Sequence, residues 1–393
     1  MQSNPPAQQY FPIEQNDWFV DERIWSPVDS NYNQTHGGVI RDNVVRDANG
    51  DVVIFANGSY YEGPKRGINF DGLGYPNQYG GRRTGGLIQS KNTYGPGSFE
   101  VLMKVPSASG ICSSMWLFNA FEGHNYEIDI ELHGTAVDGS GNRINPQTPT
   151  NLSSILCSTW VTELDVVNRD APTGKPLADG QFHKFRFDWH TGSDPRVEYY
   201  VDGVLVMTIR DYIPTNEMYL NIGCWFPRDW CGQPDFETDA MVIRSFTYTP
   251  FTNETATREN CATKSGYAIT TGAVEQINLL TNGSFNLNRQ DVVWTVDGSF
   301  ANGVLNGKVW QTLNMDAENV NYLLTLTGSG SVTVTVKYGS IVNGVTVTGS
   351  DTFELTLGAN GQARFTPPAG CTTFTIEISS ISGATLVSAV LSV

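Results

Sequence analysis

Asn125–Gly134 reads NYEIDIELHG, and its alternation decides what kind of fold the chain has. Glu127, Asp129 and Glu131 alternate with Ile128, Ile130 and Leu132. Successive side chains of a β-strand point to opposite faces. The segment therefore puts three carboxyls on one face and three large aliphatics on the other. The aliphatic face needs a core. The acidic face is an electrostatic liability, because like charges on one strand repel and push at least one pKa upward.

Strand geometry limits what such a row can do. Glu127 and Glu131 lie four positions apart, roughly 13 Å between Cα atoms, and each Glu side chain reaches about 3.5–4 Å. If both lean over Asp129, their carboxyls come to roughly 5–6 Å, near the separation of retaining glycosidases and below that of inverting ones. One Glu would then attack an anomeric carbon and the other protonate the leaving oxygen, with the shorter Asp129 keeping their pKa values apart. A solvated acidic strand face, or half a calcium site, has the same local pattern, so the surroundings must decide.

Outward from this segment, alternation and turn signals recur along the chain. Val197–Val201, Asp202-Gly203 and Val204–Thr208 read as a hairpin on a two-residue turn. Asn49-Gly50 precedes the short apolar run Val52–Phe55. Phe99–Val105, Ile111–Phe118, Tyr126–His133, Phe182–Trp189 and Met241–Tyr248 read as strands, and no stretch sustains a helical period. Composition agrees: 40 Gly, 19 Phe, 16 Tyr and 9 Trp in 393 residues, with only 16% charged, suit strands and turns better than helices. The expected class is all-β.

The formal charge of −16 makes first contact with nucleic acid or an anionic membrane repulsive, and disfavours polyanionic polymers. No run of 18 apolar residues exists, so membrane insertion is not expected. Cys112, Cys157, Cys224, Cys231, Cys261 and Cys371 form no CxxC, which argues against a structural zinc site. Cys224 and Cys231 are near enough in sequence to pair across their loop in an oxidising compartment. Met1–Asn16 has neither a basic segment nor an apolar core; action outside the cell would then come from a mature secreted form or a virion component. The sequence sets no oligomeric state.

After Pro250 the chain turns polar and threonine-rich. The expected division is a first domain over 1–251, a linker over 252–275 and a second β-sandwich over 276–393. The last part holds four basic and seven acidic side chains, so most of the negative charge belongs to the first. Ser331–Lys337 and Thr373–Ile378 read as half-buried strands.

With these surroundings, about residues 30–250 resemble glycoside hydrolase family 16, the retaining endo-β-glycanases of the concanavalin-like jelly roll. Glu127-Ile128-Asp129-Ile130-Glu131 matches the family signature. Gly85-Gly86-Leu87-Ile88-Gln89-Ser90 and Tyr94-Gly95-Pro96-Gly97-Ser98-Phe99-Glu100-Val101 resemble the preceding strand pair, and Ser114-Met115-Trp116 the cleft strand. Phe182–Trp189, Tyr200-Val201-Asp202-Gly203, Asn221 and Trp225 follow in the family's order. The resemblance implies that Glu127 is the nucleophile, Asp129 its helper and Glu131 the acid/base, in an open cleft on a curved sheet. It implies no cofactor in the chemistry. A structural calcium ion is in doubt, because Arg244 stands where many relatives carry a calcium-binding Asp.

Sugar rings present apolar faces that tryptophan covers well. Trp116, Trp160, Trp225 and Trp230 are the expected subsite residues, with Asn221 beside them. His133 continues the acidic row's parity, either as a donor to substrate or Glu131 or as an ordinary satisfied histidine. Trp189 and His183 share the parity of core aromatics. Farther on, Asn282-Gly283-Ser284-Phe285, Trp294, Val309-Trp310-Gln311 and Tyr322–Thr325 resemble jelly-roll carbohydrate-binding modules, with Trp294 and Trp310 either as stacking platforms or as core residues. The expected activity is a retaining endo-acting cut in neutral β-1,3 or mixed β-1,3/1,4-glucan. Alternatives are an endo-β-galactanase or transglycosylase of the same family, and a glycan-binding adhesin without turnover, such as a phage virion component.

Overall fold

The computed structural model describes residues 9–11, 17–22, 38–47, 49–58, 60–61, 84–108, 110–132, 136–137, 143–144, 153–226, 231, 234, 236–271, 280, 285, 294–301, 303–314, 321–342, 345–358, 361–369, 371 and 373–392. Among them the elements are strands, apart from one 3-10 turn at Arg41–Asn43 and the single position 231. The chain divides into two compact units: Met1–Ala178 with Phe182–Asp235 and Ala240–Val274, and Asp179–Gln181 with Phe236–Asp239 and Glu275–Val393.

In the first unit the strands are β1 (Gln9–Phe11), β2 (Trp18–Asp21), β3 (Val44–Arg46), β4 (Val52–Asn57), β5 (Gly86–Tyr94), β6 (Gly97–Lys104), β7 (Cys112–Phe121) and β8 (His124–Leu132). They continue as β9 (Ala136–Val137), β10 (Arg143–Ile144), β11 (Ser154–Trp160), β12 (Val166–Pro172), β13 (His183–His190) and β14 (Arg196–Val201). The last are β15 (Val204–Ile209), β16 (Met218–Trp225), β17 (Thr238–Pro250) and β18 (Thr270–Thr271). One sheet runs β12-β11-β8-β7-β16-β5-β2; the other runs β15-β14-β13-β6-β17-β4-β3-β18, with β1 on β17. β9 and β10 pair separately.

The alternation read from the sequence is what joins the two sheets. Ile128, Ile130 and Leu132 of β8 are buried, as are Phe99, Val101 and Met103 of β6 and Phe185, Phe187 and Trp189 of β13. Trp18 and Phe246 meet edge to face, 5.6 Å between ring centres, and the Tyr199 hydroxyl donates to the Ser158 carbonyl at 2.7 Å. Burying such side chains contributes about 1.5–3 kcal/mol each, which fixes the acidic face of β8 on the outside of the sandwich. The hairpin is as read: Asp202 (φ 48°) and Gly203 (φ 80°) both lie in the left-handed region that a two-residue turn needs. The Asp202 carboxylate accepts from the Lys184 N–H at 2.7 Å and hydrogen-bonds His183 Nδ1 at 2.7 Å, so His183 serves the turn.

Within the polar stretch read as a linker, residues 252–271 are tied to the first unit. Thr270 pairs with Val45 in parallel register, Tyr267 bridges Val20 and Thr257 bridges Asn216, and the Asn216 carboxamide accepts the Glu259 N–H at 2.8 Å. Backbone and amide pairing hold this strap, which is why no apolar alternation announces it.

The second unit has β19 (Thr295–Ala301), β20 (Val304–Asn314), β21 (Tyr322–Val342), β22 (Val345–Leu357), β23 (Gly361–Phe365) and β24 (Thr373–Ser392). They are ordered β19-β20-β24-β21-β22, with β23 on the first part of β21. β21 changes register at Thr327/Gly328 and again between Ser329 and Thr333, where Gly328 and Gly330 have φ of 156° and 93°. The break lets one strand serve both β23 and β22. Trp294 is 1% exposed within this unit's core, against Phe285. It is therefore not a binding platform: a ring packed on all sides has no face left for a sugar.

Candidate active site

Five adjacent strands, β12, β11, β8, β7 and β16, line a cleft of about 170 Å³. Its walls are Asn168 from β12, Ser158 and Trp160 from β11, Glu127, Asp129 and Glu131 from β8, Ser114 and Trp116 from β7, and Trp225 from β16. Register places them in rows across the sheet. Asp129 is opposite Trp116 on one side and Ser158 on the other; Glu127 is opposite Phe118 and Trp160; Glu131 is opposite Ser114 and Leu156. The three carboxyls thus share one open face, and each has a different neighbourhood.

Asp129 is the most enclosed, 5% exposed, while Glu127 and Glu131 are half-buried. Burial is the first cause that pushes Asp129 well above the usual carboxylate range, followed by the charges of Glu127 and Glu131. Glu127 is also raised, first by burial and then by Glu131, and is pulled back by hydrogen bonds from Asp129 and Asn125; Asn125 Nδ2 donates to Glu127 Oε2 at 3.3 Å. Three carboxylates this close do not all ionise together. The shared proton belongs on Asp129, the deepest of them and flanked on both sides. There it donates to Glu127 and leaves that carboxylate ionised. The Trp160 side chain, on the neighbouring strand, pulls the raised Asp129 value back down.

Trp116, Trp160 and Trp225 all reach the cleft. Trp116 is 5% exposed and forms the floor, packed with Val39 and Leu87 and against Phe118 and Trp225. Asn221 does not reach the cleft. It is fully buried, its Oδ1 accepting from Gln89 Nε2 and its Nδ2 donating to the Tyr219 carbonyl. An amide between β5 and β16 satisfies itself within the sheet, and that use is invisible to motif order. Trp230 and His133 lie outside the described residues. Ser114, Ser158 and Asn168 were not singled out from the sequence. The first two sit two residues from tryptophans on the same strand face, and that parity was the available signal.

The cysteines are arranged differently from the loop pairing considered above. All six are free thiols. Cys224 Sγ faces the Phe55 carbonyl at 3.9 Å, whereas Cys231 neighbours Cys112 and pushes its thiol up. Cys224 and Cys231 therefore point to different partners.

Arg244 holds Asp51, with Nη2 to Oδ2 at 3.0 Å and Nε to Oδ2 at 3.2 Å, and its guanidinium lies 3.8 Å from the Phe182 ring centre. A guanidinium already paired to the nearest buried carboxylate does not fit a divalent-cation site, and no step below is routed through one.

Residues 56–241 match the model of "Glycosyl hydrolases family 16". The chain is 31% identical over 142 residues to a β-glucanase of Paenibacillus polymyxa, covering 36% of this chain and 52% of that one. It is 32% identical over 149 residues to a β-glucanase of Paenibacillus macerans, covering 37% and 55%. It thus spans about half the length of both. Among solved structures, the Bacillus licheniformis β-glucanase aligns at 20% identity and TM-score 0.45 over 64% of this chain and 100% of that one. The Thermotoga petrophila laminarinase catalytic domain aligns at 17% identity and TM-score 0.42 over 64% and 98%. The stretch that carries strands β5 to β16, and with them the cleft, is thus similar to glycosyl hydrolases family 16.

Proposed function

We propose that the chain is a retaining endo-β-glycanase acting on β-1,3 or mixed β-1,3/1,4-glucan. The observation that carries this reading is the grouping of Glu127, Asp129 and Glu131 with Trp116, Trp160 and Trp225 in one cleft. The printed name of both Paenibacillus relatives, β-glucanase, supports the substrate class.

Glu127, kept ionised by the Asp129 proton, attacks the anomeric carbon from one face while Glu131 gives its proton to the leaving oxygen. The C–O bond to the leaving sugar breaks as the bond to the Glu127 carboxylate forms. Glu131, now a carboxylate, takes a proton from water, which attacks the same carbon and releases Glu127. Two inversions give retention. The indole faces stack on pyranose rings and orient the chain.

The test is hydrolysis of lichenan, laminarin, galactan and xyloglucan with sizing of products and NMR of the newly formed anomer. β-Configured oligosaccharides released first from a β-glucan support the reading. An α-anomer as the first product, or no release from any of the four, overturns it.

For the second unit we propose glycan binding at a cleft of about 600 Å³ lined by Asn321, Asp351, Phe353, Arg364 and Thr366, among others. Carboxylate, guanidinium, amide and hydroxyl beside an aromatic ring match the mixed polar and apolar surface of a sugar. In full-length protein, Asp351→Ala with Arg364→Ala is expected to lower retention on insoluble β-glucan at least threefold without changing turnover of a short soluble substrate. Unchanged retention counts against this cleft.

A further inference from the structure

Beside Glu131 lies a group that the reaction above does not use. Cys112 is fully buried, yet it does not belong to the core face of β7. Met115 and Leu117 of that strand point into the sandwich, whereas Cys112 has the parity of Ser114 and Trp116, which line the cleft. Its Sγ is 3.5 Å from Glu131 Oε1 and 3.2 Å from Ser114 Oγ. Cys231, from the segment that follows β16, is near enough to help push the Cys112 thiol up. Ser114 is the direct cross-strand partner of Glu131, so Cys112 approaches that carboxyl along the diagonal.

We propose that Cys112 is a positioning residue for Glu131: the Ser114 hydroxyl donates to the Cys112 sulfur, and the Cys112 thiol donates to Glu131 Oε1, holding that carboxyl toward the cleft. This rests on the reading of Glu131 as the acid/base. Burial, above all, keeps Cys112 in the thiol form, well above its usual range, so the donor persists at any pH at which the enzyme works. A thiol is a weak donor. That suits a carboxyl which must release its proton and recover it in each cycle, since a strong fixed donor would hold it as carboxylate.

Among the described residues, the following groups bear on Glu131. Glu127 and Asp129 share its strand, and Cys112 faces it from β7 with Cys231 behind. Its register partners toward β11 and β16 are Leu156, then Ser114 followed by Gly223, none of which titrates, with Asp170 of β12 beyond Leu156. Of these Cys112 is set to stabilise the ionised form by donation. Its loss therefore raises the Glu131 midpoint.

The experiment compares full-length wild type, Cys112→Ser and Cys112→Val. Serine keeps a donor; valine keeps the volume without one. The Glu131 carboxyl is followed by NMR with 13C-labelled glutamate, assigned by its absence in Glu131→Gln, and kcat and KM are measured on lichenan across pH. The valine variant is expected to raise the Glu131 midpoint by about 0.5 unit, the shift that loss of one weak charge-assisted hydrogen bond gives. The basic limb of kcat/KM moves with it, and kcat falls about threefold at constant KM, while serine stays near or below the wild-type midpoint. A folded valine variant with an unmoved midpoint, in a wild type that hydrolyses glucan, overturns this proposal alone. If valine does not fold, the same midpoint is read in Cys112→Ala against serine, and equal values in the two overturn it. A wild type inert on every β-glucan overturns the glycosidase reading instead, and this assignment with it.

Discussion

Trp160 stands directly across the strand pair from Glu127 and its side chain pulls down the raised pKa of Asp129, so one residue supplies both a ring to the cleft wall and a polar neighbour to the most enclosed carboxyl of the acidic row. Stacking and donation are separable by substitution. Trp160→Phe keeps an aromatic face and loses the N–H. It is expected to cost about 1 kcal/mol, roughly fivefold in kcat/KM, the scale of one hydrogen bond. Trp160→Ala loses the face as well and should also raise KM. Steady-state kinetics on lichenan at neutral pH separates the two; equal effects in both variants would show that the N–H contributes nothing.

Glu127 and Glu131 have different tasks, and small nucleophiles report which is which. In Glu127→Ala, kcat on polysaccharide should fall by about 10³-fold or more. Azide entering the vacated face of an activated aryl β-glucoside oligomer should give the α-glycosyl azide, one inversion instead of two. In Glu131→Ala the covalent intermediate still forms from an activated substrate, and azide then gives the β-product. NMR of the azide adducts decides the assignment, and swapped anomers would swap the roles.

Asp129 carries a native pKa above its unfolded value, and the sign of the resulting pH dependence is fixed. Below about pH 4 the group is protonated in both states and costs nothing. As pH rises, the unfolded chain releases the proton first, so native stability falls until the raised native value is passed. Asp129→Asn removes that loss. Its melting temperature should match wild type near pH 4 and exceed it by about 2–4 °C at pH 7.5, as expected for about 1 kcal/mol in a unit of this size. The same change should lower kcat, since an amide is a weaker donor to Glu127 than a carboxylic acid. Melting curves at the two pH values check it, and a gain at pH 4 equal to that at 7.5 would contradict the charge argument.

Arg244 and Asp51 form a contact whose carboxylate side chain is only 8% exposed while the guanidinium is 47% exposed. Arg244→Ala leaves a buried carboxylate without its guanidinium. It should destabilise by about 1 kcal/mol, discounted for the exposed guanidinium. Asp51→Asn in the same background should recover part of the loss. Denaturant titration of the double-mutant cycle measures the coupling.

Thiol reactivity should follow burial. Cys112, Cys157, Cys224, Cys231 and Cys371 are buried, and Cys261 is partly exposed. Brief alkylation of the native protein should label Cys261 first, with the others reacting only on unfolding. Peptide mapping by mass spectrometry reads the order; early label at Cys112 would contradict the enclosure described here.

Much of the first unit was legible in the chain itself. Period-two alternation in β6, β8 and β13 set which side chains face inward, because a pleated strand has no third direction. Asp202-Gly203 marked its turn because both residues tolerate the left-handed region. The acidic row of Glu127, Asp129 and Glu131 followed from parity alone. The surroundings of Asn221, Trp294 and the strap after Pro250 were not legible, and for one cause: polar or aromatic type does not say what lies across the neighbouring strand.

Which strand lies beside which is the product of long-range pairing, and only the folded molecule settles it. β8 meets β11 across some 30 residues of sequence and β7 meets β16 across about 100; those pairings set Trp160, Ser158 and Trp116 around Asp129 and bring Cys231 to Cys112. Local alternation chose the face on which the carboxyls stand, because it depends only on neighbours in sequence. Tertiary pairing chose what surrounds each of them, and burial and charge at short range are what give three similar carboxyls different protons to hold.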